Sequence, residues 1–421
     1  MSELALPHAA SARYGLLGLP LAFVALPLYV MLPAHYAQLG VPLALLGLVL
    51  LGTRLFDAVI DPVLGRWVDA HWSPALALRL VTWAALGLGL GFAALFFPPV
   101  QGHGPLLLWC AVALTGTFMA FSLASVLHLA WGSRLGGSAV QRSRLVAWRE
   151  GLGLVGVLLA NVLATQAGMK VTTAVLWCGL ALGAWALAKA PVPVSVPATP
   201  RATLTPSAAP SLTLPWQGRE FRHLMALFMI NGIASAIPAT LVLFFIQDRV
   251  QAPEWTPIFL GAYFIMGAVS VPVWLRLIKR LGPSTAWACG MALNVVGFIG
   301  VLGVGAGDRG AYLAVCLASG LALGADLTVP GTLLTGVIQR AGHAGQSEGA
   351  YAGWWQLATK LNLALAAGLA LPALQWLGYG PGARGPQALQ ALTWAYGLLP
   401  CMFKLLALAL WWRLWRRQNI E

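Results

Sequence analysis

Two aspartates and an arginine lie inside a long apolar stretch near the start of the chain. Residues 54–62 are Arg-Leu-Phe-Asp-Ala-Val-Ile-Asp-Pro, so Arg54, Asp57 and Asp61 occupy positions i, i+3 and i+7. On a helix this spacing places all three on one face. Two carboxylates one turn apart repel each other unless a cation or a proton lies between them. The pattern predicts a cation-binding site at Asp57 and Asp61, with Arg54 in its charge network. The alternative is a structural cluster in which Arg54 neutralises Asp57.

Two more ionisable residues interrupt later apolar stretches. An ionisable group at the bilayer centre costs about 2.5–3.5 kcal/mol on insertion scales, so each needs a reason. At about 1.5 Å per residue, Asp57 and Asp326 lie roughly 21 and 22 Å from the outer ends of their stretches, and Lys360 lies roughly 18 Å from the cytoplasmic end. The matched depths predict a shared polar cavity with Lys360 and Asp326 as substrate contacts. The alternatives are a Lys360 that reaches an interface and an Asp326 that only holds Lys360.

Three further residues have polar side chains at or near membrane depth. Asn231 lies near mid-depth and either contacts substrate or packs between helices. Arg149 is a substrate-contact candidate or one more cytoplasmic charge. Because adjacent helical residues face different directions, we expect Arg149 and Glu150 not to pair directly. Lys404 has no partner that the sequence identifies, and we expect it to be structural.

Two tryptophans, Trp354 and Trp355, precede Lys360 by one to two helical turns. Indole rings at this distance from a buried lysine are candidates for stacking on a substrate ring. We therefore include both in the predicted substrate site.

The elements that position these residues are long apolar stretches. Of the 421 residues, 59% are hydrophobic and 9% are charged, whereas roughly a quarter of the residues in soluble domains are charged. Stretches of about 20 apolar residues can cross a bilayer, and there they must be helical because hydrocarbon satisfies no backbone polar group. The sequence predicts an all-α membrane protein with twelve transmembrane helices, approximately at residues 14–37, 43–68, 79–97, 105–132, 146–168, 172–190, 220–249, 256–278, 284–305, 311–338, 348–378 and 387–413.

A proline-rich segment divides these helices into two sets of six. Residues 191–215 contain prolines at 191, 193, 197, 200, 206, 210 and 215, a composition typical of an exposed, semi-rigid linker. We expect an N-terminal six-helix bundle at 1–190, a cytoplasmic linker at 191–218 and a C-terminal six-helix bundle at 219–421. Two such bundles are the architecture of major facilitator carriers, which rock about a site at the membrane midplane.

The formal net charge of +13 follows from the expected topology. With the N-terminus inside, most of the 25 lysines and arginines lie at cytoplasmic helix ends, as the positive-inside rule requires. This predicts an integral protein of the plasma (bacterial inner) membrane with both termini in the cytoplasm, and it excludes nucleic acid as a partner. The expected partners are a small-molecule substrate, a coupling cation and the bilayer, with the chain a monomer.

Catalytic and metal-binding signatures are not found in the sequence. The five cysteines lie in apolar stretches with no metal-ligand spacing. There is no HExxH and no phosphate loop ending in Gly-Lys-Ser/Thr, and the expected all-helical spans offer no strand-to-helix turn for a nucleophile elbow. We expect neither an enzyme nor a cofactor other than the coupling ion.

Residues 54–65, Arg-Leu-Phe-Asp-Ala-Val-Ile-Asp-Pro-Val-Leu-Gly, closely resemble the second-span signature of the glycoside–pentoside–hexuronide:cation symporters. This is a family of the major facilitator superfamily. Lys360 matches the family's eleventh-span lysine, and Arg149 falls where the family has a fifth-span arginine. The resemblance implies that Asp57 and Asp61 bind the coupling cation, sodium in some cases, and that Lys360 and Arg149 lie near the cation and the sugar.

The sequence also departs from that family. Ile60 replaces an asparagine beside the second aspartate, which favours a proton over sodium because a proton needs only the carboxylate. The family's first- and fourth-span sugar-binding acids align near Leu21 and Ala124, so Asp326 is expected to replace them. The same fold and motif resemble vertebrate lysophosphatidylcholine symporters. We expect a cation-coupled symporter of a sugar-like or small organic solute, with a lysolipid or amphiphile transporter as the first alternative and a drug exporter as the next.

Overall fold

The computed structural model describes residues 7–193, 211–379, 382 and 384–414, and all regular structure within these ranges is helical. Ten of the helices in these ranges are long and apolar enough to cross a membrane, and Leu43–Ala70 and Glu348–Trp376 complete the expected set of twelve. We label them α1 (residues 8–38), α2 (Leu43–Ala70), α3 (Pro74–Phe96), α4 (His103–Arg134), α5 (residues 139–167), α6 (Gly168–Ala188), α7 (Arg219–Val250), α8 (Pro253–Leu281), α9 (Pro283–Gly303), α10 (Arg309–Arg340), α11 (Glu348–Trp376) and α12 (Pro386–Leu414).

The helix bounds differ from the expected spans mainly at polar ends. α5 begins at Ala139, about two turns before the apolar stretch, because the hydroxyl of Ser138 accepts the backbone N–H of Gln141. A serine at this position supplies one of the acceptors that the first helical turn otherwise lacks. Capping thus extends α5 into a polar segment that hydropathy alone leaves out.

Four helices contain a short π-helical segment. These are Pro27–Met31 in α1, Leu163–Ala167 in α5, Phe245–Val250 in α7 and Trp394–Leu398 in α12. A π-helical turn adds one residue and shifts the face that every later side chain presents. Hydropathy does not predict these segments.

The chain forms two compact units. The first unit contains residues 1–218 and 335–357, and the second contains residues 219–334 and 358–421. In the first unit α2 and the start of α11 pack backbone to backbone. A Cβ on Gly65 would overlap the carbonyl oxygen of Gly349, and a Cβ on Gly353 would overlap that of Asp61. Small residues allow such close approach. The expected division into bundles at 1–190 and 219–421 stays a prediction.

Tryptophan side chains contact both described ends of the expected linker. Residues 194–210 of the linker lie outside the described residues. The indole N–H of Trp131 donates to the carbonyl of Pro191 at 3.1 Å, and that of Trp354 donates to Leu212 at 2.8 Å. Trp216 packs edge-on against Trp354, with ring centroids 5.1 Å apart. Indole groups therefore anchor the described ends of the linker, whose proline-rich composition cannot form a core of its own.

Aromatic rings join α7, α10 and α12 in the second unit. The ring of Phe245 stacks on Tyr396 with centroids 4.3 Å apart, and the hydroxyls of Tyr312 and Tyr396 are 2.7 Å apart. All three side chains are nearly or fully buried. This packing fixes the relative positions of the helices that carry Asn231, Asp326 and Lys404.

Candidate functional site

Asp57 and Asp61 are both buried on α2, as the helical spacing predicts. Their exposed fractions are 2% and 0%. The hydroxyl of Ser122 on α4 donates a hydrogen bond of 2.6 Å to Oδ1 of Asp57. Gly353 lies against the backbone of Asp61 and fixes the height of this residue relative to α11. The two carboxylates thus stand one turn apart on a helix that α4 contacts through the Asp57 side chain and α11 contacts through the backbone.

Arg54 is exposed, and its guanidinium lies over the ring of Tyr29, 4.7 Å from the ring centroid. A guanidinium over an aromatic face is attracted by the negative charge density of the ring. Tyr29 belongs to the π-helical segment of α1. The described contact of Arg54 is therefore with an aromatic ring, and its predicted part in the charge network of α2 stays a prediction.

Arg149 and Glu150 form a direct ion pair, and the expectation that they would not pair is wrong. Nε of Arg149 donates to Oε1 of Glu150 at 3.0 Å, and Nη2 donates to the same oxygen. The rule that adjacent helical residues diverge holds for their Cβ atoms. Both side chains are long enough to curve toward each other beyond that point. The predicted contact of Arg149 with substrate stays a prediction.

The two tryptophans of the predicted substrate site lie in the first unit. Trp354 is half-buried. Its indole N–H donates to the carbonyl of Leu212, and its ring packs against that of Trp216. Trp355 is buried, with 6% of its surface exposed. Stacking of either ring on a substrate stays a prediction.

A charge cluster that the sequence analysis missed joins the end of α2 to the start of α11. Asp69 accepts the backbone N–H groups of Gly349 and Ala350 at 2.7 and 2.6 Å, so it caps α11. Arg134 lies 2.6 Å from Asp69 and 3.2 Å from Glu348. The three charged side chains are at most 3% exposed.

Aromatic and neutral groups surround this cluster. The guanidinium of Arg134 lies 4.0 Å from the ring centroid of Trp72. In the loop between α10 and α11, Nδ1 of His343 is 2.9 Å from the hydroxyl of Tyr351. Burial lowers the pKa of His343, which disfavours its charged form.

In the second unit, Asp326 is surrounded by donors from three helices. Oδ1 accepts from Nδ2 of Asn231 at 3.0 Å and from Nε1 of Trp287 at 2.8 Å. Oδ2 accepts from Nζ of Lys404 at 2.7 Å. The hydroxyl of Ser235 lies 3.4 Å from the same oxygen, at the long end for a hydrogen bond.

Lys404, for which the sequence identified no partner, is the counter-ion of Asp326. The Lys404 side chain is 1% exposed, and it also donates to Oδ1 of Asn231 at 2.8 Å. The amide of Asn231 therefore bridges the two charges, and its predicted contact with substrate stays a prediction. Several hydrogen bonds to a buried pair offset the cost of removing both ions from water. Asp326 keeps 18% of its side chain exposed.

Asn362 places another polar group beside the same turn of α7. It is 4% exposed, and a Cβ on Gly232 would overlap its amide. Among the described residues Oδ1 of Asn362 has no hydrogen-bond partner. A buried acceptor without a donor costs about 1–3 kcal/mol, so this oxygen is suited to a donor that the protein itself does not supply.

Lys360 is half-buried on α11. It belongs to the second unit, whereas Asp57 and Asp61 belong to the first. The predicted link between this lysine and the two aspartates therefore stays a prediction.

The depth argument could have found Lys404. At about 1.5 Å per residue, Lys404 lies roughly 26 Å from the outer end of its expected span, within one turn of the depth of Asp326. Ser122, Trp287 and Asn362 gave no comparable signal, because neutral polar side chains are common in membrane helices.

Twelve long helices, with charged side chains buried inside each of two units, define an integral membrane carrier of the major facilitator fold. The family model described as MFS/sugar transport protein matches residues 13–415. The chain therefore belongs to the MFS/sugar transport protein family and is a transporter. No curated protein matches the sequence.

Three solved structures illustrate the shared fold. A bacterial homologue of the iron transporter ferroportin, in an outward-facing state, superimposes with a TM-score of 0.69 at 16% identity, covering 97% of this chain and 99% of that one. A variant of the E. coli fucose:proton symporter FucP gives 0.65 at 13% identity, with coverages of 95% and 97%. The proton:xylose symporter XylE gives 0.62 at 14% identity, with coverages of 96% and 94%. Similarity at this level of identity concerns the fold alone.

Proposed function

We propose that this transporter is a cation-coupled symporter that moves a sugar-like or other small organic solute by alternating access. The observation that carries the proposal is the burial of Asp57 and Asp61, 2% and 0% exposed, one turn apart on α2. Two carboxylates in this position are stabilised by a bound cation or proton and repel each other without one. Binding of a cation or proton to the Asp57–Asp61 pair therefore changes the net charge of the first unit by at least one elementary charge.

The coupling ion is a proton or sodium, and the residues near Asp61 favour the proton. Ile60 offers no oxygen to a metal ion, and the described hydroxyl at Asp57, that of Ser122, donates its hydrogen to the carboxylate. A proton needs only a carboxylate oxygen. Sodium would require the Ser122 hydroxyl to turn and offer a lone pair.

The solute contacts in this proposal are Lys360, Asp326, Asn231, Arg149, Trp354 and Trp355. The match to a family of sugar transport proteins supports a sugar-like solute. Two solved structures with the same fold are those of proton symporters of fucose and of xylose. The proposal also places the protein in a bacterial inner membrane, as a monomer, with both termini in the cytoplasm.

Uptake into proteoliposomes tests the proposal. We expect solute accumulation driven by an imposed proton gradient, or by a sodium gradient at fixed pH, from a panel of sugars, organic acids and lysolipids. Asp61→Asn should abolish accumulation but retain solute exchange, because exchange needs no net release of the ion. Asp308→Asn, in the loop before α10, is the matched control and should accumulate solute normally.

Full accumulation by the double variant Asp57→Asn/Asp61→Asn would refute the coupling site. Accumulation of lysolipids but not sugars would favour the amphiphile alternative. Steep dependence on sodium at fixed pH would show that the argument from Ile60 is wrong.

A further inference from the structure

We propose that Asp326, Ser235 and Asn362 form a subsite in the second unit for two hydroxyl groups of a neutral polyhydroxyl solute, and that Lys404 is its positioning residue. This inference rests on the proposed function and specifies the ligand of that site. It uses contacts within the second unit alone.

The carboxylate of Asp326 can accept a hydrogen bond from a ligand. Asn231, Trp287 and Lys404 supply three close donors to its carboxylate, and the fourth position is taken by Ser235 at 3.4 Å. Ser235 is exposed, and 18% of the Asp326 side chain is exposed. A ligand hydroxyl can therefore replace this long contact without disturbing the three short ones.

The amide oxygen of Asn362 is the second acceptor of the proposed subsite. Asn231, Gly232 and Ser235 lie within one turn of α7, where residues three and four apart share a face. The amide of Asn362 lies against Gly232, and its Oδ1 accepts no hydrogen bond from the described residues. The turn is thus flanked by a carboxylate oxygen of Asp326 and by the Asn362 amide, whose nitrogen lies nearest Gly232 and whose oxygen has an unused acceptor position. A ligand with two hydroxyl donors fits these two acceptor oxygens.

The ion pair of Asp326 and Lys404 determines which charge the ligand can carry. The ammonium of Lys404 lies 2.7 Å from the oxygen that the ligand would contact, and it is buried. The carboxylate is therefore already neutralised. A protonated amine at the subsite would be repelled by this ammonium, whereas a hydroxyl would donate a charge-assisted hydrogen bond at no such cost. The pair selects a neutral donor.

Binding of carbohydrates to the purified full chain tests the subsite. The probes are D-hexoses and D-pentoses and, for each binder, its monodeoxy and aminodeoxy analogues, measured by calorimetry and by the ligand-induced shift in Tm. We expect two monodeoxy analogues to bind more weakly than the parent, and the one that lacks the hydroxyl bound by Asp326 to bind about 10-fold to 100-fold more weakly. We expect the amine analogue at that carbon to be at least as weak.

Two variants separate the roles. Asp326→Leu/Lys404→Met replaces the pair by apolar groups, which folded proteins often tolerate, and it should bind the parent and the deoxy analogue equally. Lys404→Met leaves the carboxylate uncompensated and should shift the ratio of amine to hydroxyl affinity toward the amine by about 10-fold or more, a change that a merely structural lysine would not produce. Asn362→Leu should remove sensitivity to a second hydroxyl. Thr240→Val, whose hydroxyl bonds to its own helix at Ala236, is the control.

The outcomes distinguish this inference from the proposed function. If carbohydrates bind but the double variant still discriminates against the deoxy analogue, the subsite is wrong and the proposed function stands. If Lys404→Met folds and keeps the original ratio, Lys404 is not its positioning residue. If Lys404→Met does not fold, Ser235→Ala and Asn362→Leu test the subsite instead. If both variants bind the deoxy analogues as weakly, relative to the parent carbohydrate, as the unaltered protein does, the subsite is refuted. If no carbohydrate binds, both the subsite's ligand and the sugar-like solute are wrong.

Discussion

The hydroxyl of Ser122 donates to Oδ1 of Asp57 at 2.6 Å, which joins α4 to the acidic face of α2. Hydrogen bonds to an ionised acceptor are short and strong. This contact holds one of the two proposed coupling carboxylates in a single orientation. It makes Ser122 the most direct test of how that site discriminates among ions.

Ser122→Ala should retain uphill transport but change its ion dependence. Without the hydroxyl, Asp57 loses a donor worth about 1.5–3 kcal/mol, so the carboxylate should hold a coupling proton at least about 10-fold more tightly, whereas binding of sodium, which would need this hydroxyl as a ligand, should weaken. The measurement is the ion concentration for half-maximal uptake in proteoliposomes. Thr115→Val is the control, since that hydroxyl bonds to Ala111 of its own helix. An unchanged half-saturating concentration in Ser122→Ala would mean that the hydroxyl has no part in ion binding.

Gly353→Ala should destabilise the protein and impair transport. The new Cβ would overlap the carbonyl of Asp61 and force α2 away from α11. Overpacking of this kind costs typically about 1–3 kcal/mol. The measurements are Tm in detergent and initial uptake rate.

Gly52→Ala on α2 is the matched control for that substitution. A Cβ there meets no atom within 4 Å, and alanine favours a helix by about 1 kcal/mol over glycine. We expect Gly52→Ala to be neutral or slightly stabilising. A Gly353→Ala protein with the same Tm as Gly52→Ala would contradict the close approach.

Arg134→Ala should lower the free energy of unfolding by about 3–5 kcal/mol, because it leaves Asp69 and Glu348 buried without their cation. Arg134→Lys should have a free energy of unfolding between those of the parent and Arg134→Ala, because lysine keeps the charge but lacks the planar fork that spans two carboxylates. The measurement is denaturant unfolding in detergent.

Arg309→Ala provides the comparison for Arg134. Its ion pair with Glu254 is about half exposed on both sides, at 46% and 56%, and such pairs contribute at most about 1 kcal/mol. Equal losses in the two variants would show that burial does not set the strength of the Arg134 cluster.

A cysteine at Ser207 should react with a membrane-impermeant thiol reagent only after the inner membrane is permeabilised. The background is a chain with its five native cysteines replaced, since Cys178 and Cys289 are exposed. A cysteine at Asp308 should instead react in intact cells, because the loop between α9 and α10 is expected outside. Labelling at position 207 in intact cells would reverse the proposed topology.

The fold was largely predictable from the sequence because a bilayer permits few solutions. Apolar length identified the spans. Of the three residues that the spacing placed on one face, Asp57 and Asp61 are buried and Arg54 is exposed. The π-helical segments were not predictable, because a one-residue change of register leaves hydropathy unaltered.

The site was predictable in residue type more than in pairing. Asp326 and Asn231 were recognised as polar residues at depth, and the same depth argument places Lys404 within one turn of Asp326, but the contact itself required knowing that α12 packs beside α7. Arg149 and Glu150 were expected to diverge, a rule that describes Cβ atoms and not long side chains. Trp354 carried no sequence signal that its indole holds Leu212.

The pairing of Asp326 with Lys404 also constrains how the protein is made. Asp326 precedes its counter-ion by 78 residues, and synthesis proceeds from the N-terminus. α10 therefore reaches the membrane with an acid that costs about 2.5–3.5 kcal/mol on insertion scales and stays uncompensated until the last helix arrives. A chain that ends before α12 is consequently not a smaller carrier. It is an unfinished product whose buried acid lacks its counter-ion.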